Sequence, residues 1–221
     1  MENKLTPGVD TVFFGGSFDP PHLGHLTVAA AALASGRCGN VAWVPAYAPP
    51  HKNSRRAPFA DRADMVELTI AGRADMFLSR IEEELALSPS YTLGVIEAWQ
   101  RRYGSTPSLL IGADSLLELH NWHRASELAE RCRILTYPRR GYPVSEAALA
   151  EHWQPEMVEK LLSGVIRGDF FEISSSELKS AMEKFTATGD IMNVKEFLAP
   201  GVADHIIRRK LYIGTTPERA R

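Results

Sequence analysis

Cysteine is scarce: Cys38 and Cys132 are the only two in 221 residues. They form no C-x-x-C pair and no zinc spacing, which excludes a disulfide scaffold and a zinc ribbon and leaves reduced thiols in a cytoplasmic protein as the expectation. Long apolar runs are missing as well. No stretch approaches the roughly 18 apolar residues of a membrane-spanning helix. The opening MENKLTPGVD has no apolar centre, so no secretory leader is expected. Nor is there a surplus of basic charge, since 25 Lys and Arg against 27 Asp and Glu give a formal net charge of -2. A generic nucleic-acid binder carries a basic excess, so that class is set aside. Internal repeats and low-complexity tracts are lacking. So are the P-loop G-x-x-x-x-G-K-[ST] and the dinucleotide fingerprint G-x-G-x-x-G. A balanced chain can still bind a small anion, for which a few local charges suffice.

What is present is an alternation. The chain is 44% hydrophobic, enough for one sizeable core. Short apolar runs read as buried strands at Thr11–Gly15, Val41–Pro45, Met76–Leu78, Ser108–Gly112 and Arg133–Tyr137. Helices are expected at Leu23–Ser35, Phe59–Ala71 and Tyr91–Tyr103, and another opens at Ser115–His120. Ala46–Pro58, rich in proline and basic residues, is a loop. The acidic run Glu82–Glu84 reads as a solvated turn, Gly141–Gly168 is mixed in character, and the chain from Ser174 on is helical. Repeated strand–helix units predict an α/β fold, an open parallel sheet with helices on both faces. In such sheets ligands sit beyond the carboxyl ends of the strands, where the notable motifs fall.

The most informative stretch is FFGGSFDPPHLGHL, Phe13 to Leu26. A strand ends in Gly15 and Gly16, and a helix begins within about ten residues. Glycines let the backbone approach an anion, and the N–H groups at a helix start face it. His22 and His25, held between Pro20-Pro21 and the helix, are suited to donate hydrogen bonds to phosphate oxygens. Elsewhere, His51 and Lys52 sit in a proline-stiffened loop. Ser90, Tyr91 and Thr92 open a helix whose start serves as a cap or offers N–H groups to a carboxylate. Asp114 follows a strand-end glycine, as a helix cap or as a carboxylate for ribose hydroxyls. Trp122 is either core or a stacking face for a heteroaromatic ring. Ser174–Ser176 make a helix start, with Lys179 one turn further in.

GSFDPPHLGH resembles the nucleotidyltransferase superfamily, whose hallmark is [HT]-x-G-H after the first strand. With APPHK (Ala48–Lys52), SYT (Ser90–Thr92), IGADSLLELHNW (Ile111–Trp122), RRGYP (Arg139–Pro143) and EISSSELK (Glu172–Lys179), the chain from about residue 11 on is similar to the bacterial nicotinate-mononucleotide adenylyltransferases. The resemblance implies a Rossmann-like core at 10–173 and a small C-terminal helical part at 174–221, together one nucleotidyltransferase domain over 1–221. It implies adenylyl transfer from ATP to nicotinate mononucleotide, giving deamido-NAD and pyrophosphate, a step of NAD biosynthesis. Catalytic duty then falls to His22, His25 and Lys179. ATP is expected to meet Gly15, Gly16, Ser17, Phe18, His22, His25, Gly112, Asp114, Arg139, Ser174, Ser175, Ser176 and Lys179. Nicotinate mononucleotide is expected at Gly16, Ser17, His51, Lys52, Tyr91, Thr92 and Trp122. Mg²⁺ comes bound through the ATP phosphates, with no protein metal cage. No nucleic acid or membrane is expected as a partner, and a homo-oligomer is allowed.

The sequence departs from that family at three places. Lys179 stands where the family has arginine, a trait of the pantetheine-phosphate adenylyltransferases. Arg140 replaces a proline, and His123 stands where tyrosine is common. Two alternatives follow: a pantetheine-phosphate adenylyltransferase, which typically has threonine at the position of His22, or a nucleotide-binding sensor without catalysis.

Overall fold

The computed structural model describes residues 10–47, 56–86, 89–167 and 175–213, apart from the side chains of residues 175–177 and 179. The strands are β1 (Thr11–Gly16), β2 (Asn40–Pro45), β3 (Met76–Leu78), β4 (Ser108–Gly112) and β5 (Ile134–Tyr137). They form a five-stranded sheet in the order β3-β2-β1-β4-β5, and every pairing is parallel. The chain builds outward from β1 to β3, then crosses back to lay β4 on the other side of β1. That reversal makes the β1/β4 junction a topological switch point, where open sheets bind ligands.

Helices cover both faces, as an all-parallel sheet requires. Side chains alternate along β1, sending Phe13 to one face and Val12 and Phe14 to the other. On the Phe13 side lie α4 (Thr92–Tyr103), α5 (Ala113–Leu117), α6 (Ala125–Arg131), α7 (Glu146–Ala150) and α8 (Pro155–Ser163). They bury Leu93, Ile96, Trp99, Leu116, Leu128 and Leu161 against Phe13, Val44 and Leu109. On the Phe14 side, α1 (Leu23–Ala34) contributes Ala29 and Ala32, and α2 (Phe59–Thr69) contributes Val66, against Val41, Trp43 and Leu135. Each large apolar side chain buried this way contributes about 1.5–3 kcal/mol. A third cluster joins Met65 of α2 to the C-terminal helices α9 (Ser175–Thr188), α10 (Met192–Lys195) and α11 (Val202–Arg209) through Leu178, Phe185, Val194 and Ile206. Buried Asp61 adds a polar tie, accepting from Arg209 at 2.7 Å and lying 3.0 Å from His205 Nε2.

Three local expectations change. The acidic run is a helix, α3 (Ile81–Leu85), with Glu82 buried rather than solvated. The helix expected from Ser115 starts earlier, as α5, and ends in a separate 3-10 turn, Leu119–Asn121. The mixed segment holds α7 and α8, the latter opened by Pro155 in its first turn, where a missing N–H costs nothing. The helix α6 also went unread in the sequence.

Candidate active site

The two strands at the switch point part company early. β1 pairs with β4 only at Val12, Phe13 and Phe14, while β4 runs on to Gly112 alongside β5. Gly15 and Gly16 thus extend past the β4 ladder, and the crevice opens between them and Gly112. A side chain at Gly112 would collide with the Asp114 carboxylate, so glycine there keeps that acid in place. At Gly16 an added Cβ would stand 3.1 Å from the Phe18 ring.

His22 and His25 cap α1 reciprocally. Gly24 N–H donates to His22 Nδ1 at 3.1 Å, and His22 N–H donates to His25 Nδ1 at 3.2 Å. With both Nδ1 atoms accepting, each neutral ring carries its proton on Nε2 and is a donor there. Burial is the main cause lowering both pKa values, His22 to about 4 and His25 well below the ordinary histidine range. Arg139 lowers both further, and His22 acts on His25 as well. Phe18, in a left-handed conformation (φ 48°), turns its buried ring edge-on to His25 at 5.1 Å. Its side chain therefore supports His25 from the core.

One sequence expectation needs correction. The N–H groups that open α1 are already engaged. Leu23 donates to Phe197 O at 2.8 Å, Gly24 to His22 Nδ1, and both His25 and Leu26 to His22 O. The helix start therefore offers its dipole and the two imidazoles rather than bare amides.

Across the crevice, Asp114 does not cap α5, whose N-cap is Gly112. Its carboxylate accepts from Arg139 Nη1 at 2.6 Å. The Arg139 guanidinium also lies over the Tyr142 ring at 5.8 Å. His22, His25, Asp114 and Arg139 thus share one electrostatic neighbourhood at the strand ends. Further along, α4 starts at Thr92 with Tyr91 as N-cap and no side-chain cap. Exposed Tyr91 stacks on His123 with centroids 4.1 Å apart. This brings the SYT block beside Trp122, which is half-buried against the main cluster. His51, Lys52 and Ser174 lie outside the described residues, as do the side chains of Ser175, Ser176 and Lys179, although 175–179 do begin α9.

Sequence reasoning missed the supports. Asp19 accepts from Tyr212 Oη at 2.6 Å and from Ala57 N–H at 3.1 Å. Arg62 and Glu82 are both buried beside the strand ends. Nothing local in ADRADM or RIEEEL marks those two as interior, because tertiary packing alone buries them. Among the described residues, Asp61, Asp64 and His205 come close enough together to share an ion, but Arg209 already binds the Asp61 carboxylate.

This fold and crevice define a class. The chain belongs to the cytidylyltransferase-like family, whose model matches residues 13–181. Its relatives narrow that class. A probable nicotinate-nucleotide adenylyltransferase of Gloeobacter violaceus is 42% identical over 132 residues, 58% of this chain and 63% of that one. Those of Dechloromonas aromatica (31% identical, 90% of this chain, 95% of the relative) and Serratia proteamaculans (34%, 90% and 93%) match over 208 residues. Within the family, its place is among these nicotinate-nucleotide adenylyltransferases. In fold it is similar to a Plasmodium falciparum nicotinic acid mononucleotide adenylyltransferase complexed with NaAD, with TM-score 0.70, 19% identity and coverage of 91% of this chain and 96% of that chain. No helix among the described residues is long and apolar enough to cross a membrane.

Proposed function

We propose that this chain transfers the adenylyl group of ATP to nicotinate mononucleotide, giving deamido-NAD and pyrophosphate as a step of NAD biosynthesis. The observation that carries the reading is the reciprocal cap of His22 and His25 at the switch point, which presents two Nε2–H donors beside Arg139. The full-length relatives support the choice of acceptor.

The acceptor phosphate needs no general base, since its second pKa is about 6 and it is an anion at neutral pH. One of its oxygens forms a bond to the α-phosphorus. The bond from that phosphorus to the bridging oxygen breaks, and pyrophosphate leaves with the electron pair. His22 and His25 donate to oxygens of the transferring phosphates, and Arg139 adds fixed positive charge. Gly15, Gly16, Ser17 and the Phe18 backbone line the phosphates, Gly112 and Asp114 serve the ATP ribose, and Ser174–Ser176 and Lys179 hold the departing end. Magnesium enters as part of the substrate, MgATP, on its phosphates.

The acceptor ring lies on Trp122, with Tyr91 and the uncapped start of α4 at Thr92 facing its carboxylate. His51 and Lys52 meet its phosphate. We read the chain as one domain, acting in the cytoplasm. Pyrophosphate release is measured with MgATP and, in turn, nicotinate mononucleotide, nicotinamide mononucleotide and phosphopantetheine. Turnover is expected to be fastest with the first. Preference for phosphopantetheine, or no release with any acceptor, overturns the reading.

A further inference from the structure

Arg62 is buried on α2, 2% exposed, and its three hydrogen bonds among the described residues all go to backbone carbonyls. Nη1 donates to Ser17 O at 2.7 Å, Nη2 to Ala46 O at 2.7 Å, and Nε to Ala57 O at 3.1 Å. These carbonyls belong to three segments: the loop after β1, the exit of β2, and the approach to α2. The Ala46 carbonyl and the Tyr47 N–H are two ends of one peptide group. The Tyr47 N–H donates to Glu82 Oε2 at 3.0 Å, and Glu82 is itself buried on α3. One peptide group is therefore gripped at both ends by buried charged side chains from two helices.

A buried cation is a poor source of stability, because desolvation offsets most of what its partners return. What this one supplies is register. The Ser17 loop leads to His22, and the Ala46 exit leads toward His51 and Lys52. A planar guanidinium can hold separate carbonyls in fixed directions, whereas an ammonium is a point charge. We propose that Arg62, backed by Glu82, is a positioning residue for the transfer, fixing the loop after β1 against the exit of β2 so that donor and acceptor phosphates meet in line. It touches neither substrate. The proposal rests on the function given above, and it explains why a charged pair is buried beside a phosphate site: a misplacement of about 1 Å in such a reaction costs up to a hundredfold in rate.

The test compares the parent with Arg62→Lys, Glu82→Gln and Glu82→Leu, each checked for cooperative melting. The parent is assayed first with MgATP and nicotinate mononucleotide, and absence of pyrophosphate there refutes the function, not the positioning. In Arg62→Lys, kcat at saturating substrates is expected to fall by about tenfold or more, while the Kd for MgATP alone, from calorimetry, moves less than about threefold. Glu82→Gln keeps an acceptor for the Tyr47 N–H and should stay within about threefold of the parent, whereas Glu82→Leu should lose kcat as Arg62→Lys does. A kcat within about threefold in Arg62→Lys, or a loss matched by equal loss of MgATP affinity, overturns the proposal. If Arg62→Lys does not fold, the Glu82 pair decides: equal turnover in Glu82→Gln and Glu82→Leu overturns it. Hydrogen exchange over Ser17–His22 without substrate reads positioning independently of activity. Faster exchange in whichever of Arg62→Lys and Glu82→Leu folds, with Glu82→Gln unchanged, supports the proposal, and exchange that stays at the parent's rate in Arg62→Lys and Glu82→Leu overturns it.

Discussion

The rings of His22 and His25 lie with their centroids 3.7 Å apart, each Nδ1 accepting a backbone N–H that the other residue's turn supplies. Two imidazoles this close cannot both be charged at little cost, and burial together with Arg139 keeps them neutral. Phosphates reverse that balance, because an anion beside an imidazole favours its charged form.

The first prediction is a proton linkage. His22 has a folded pKa of about 4 against an ordinary 6.5. A base lowered by folding contributes its full stability above the unfolded value. That contribution falls away as pH drops from 6.5 toward 4, by at most about 3 kcal/mol. Phosphate at Nε2 should raise the His22 pKa at the expense of the Gly24 cap, because the added proton goes to Nδ1, so binding near pH 6 should take up protons and tighten as pH falls. Calorimetry in two buffers of different ionisation enthalpy measures that uptake. His22→Asn should show less uptake than the parent, and equal uptake in the two would place the proton on ATP alone.

His25→Ala is predicted to lower kcat by about 100-fold or more, the scale for losing one donor to developing charge. It also removes the acceptor for the His22 N–H, so His22 loses its orientation. His25→Asn, which can still accept that N–H, should keep the melting temperature but not the rate. Turnover near that of the parent in either variant would exclude these rings from the transfer.

Much of this was legible beforehand, for a physical reason. Four of the five strands are short apolar runs ended or followed at once by Gly or Pro, and the proposed phosphate site is local in sequence, so β1, the turn and α1 could be read together. The supports were not legible. Arg62 and Glu82 look like surface charges in their own neighbourhoods, and only the return of α2 and α3 to the sheet buries them. Likewise, the engagement of the Leu23 N–H depends on Phe197, far away in the chain.

Asp61→Ala is predicted to reduce stability without touching kcat. Asp61 is buried between α2 and α11, bonded to His205 and Arg209. On removal, the Arg209 guanidinium, already 60% exposed, returns to water, so its charge is not stranded. The cost is that of the lost hydrogen bonds, about 1–3 kcal/mol. Chemical denaturation measures it, and kcat of the folded fraction should equal that of the parent. A fall in kcat at full folding would tie α11 to the chemistry.

The last prediction concerns acceptor choice. Trp122 ends the 3-10 turn half-buried, and Tyr91 and His123 stack in the open beside it. Stacking adds on the order of 1 kcal/mol beyond the area it covers. Trp122→Ala should therefore raise KM for nicotinate mononucleotide by about tenfold while KM for ATP moves far less. It also removes apolar contact with the main cluster, so some loss of stability accompanies it. Tyr91→Ala separates the two effects. Tyr91 is 43% exposed, so truncation should leave the melting temperature nearly unchanged and still weaken the acceptor. The start of α4 at Thr92 carries no side-chain cap, and its N–H groups suit a carboxylate. A carboxamide brings an NH₂ that leaves a donor unpaired there, so the ratio of kcat/KM should favour the acid over the amide. Thr92→Pro removes one of those donors at a position where proline fits a helix start, and should narrow that ratio more than it lowers kcat with either acceptor. An unchanged acid-to-amide ratio in Thr92→Pro would move the carboxylate away from α4, and equal KM losses for both substrates in Tyr91→Ala would remove the stacked pair from the acceptor site.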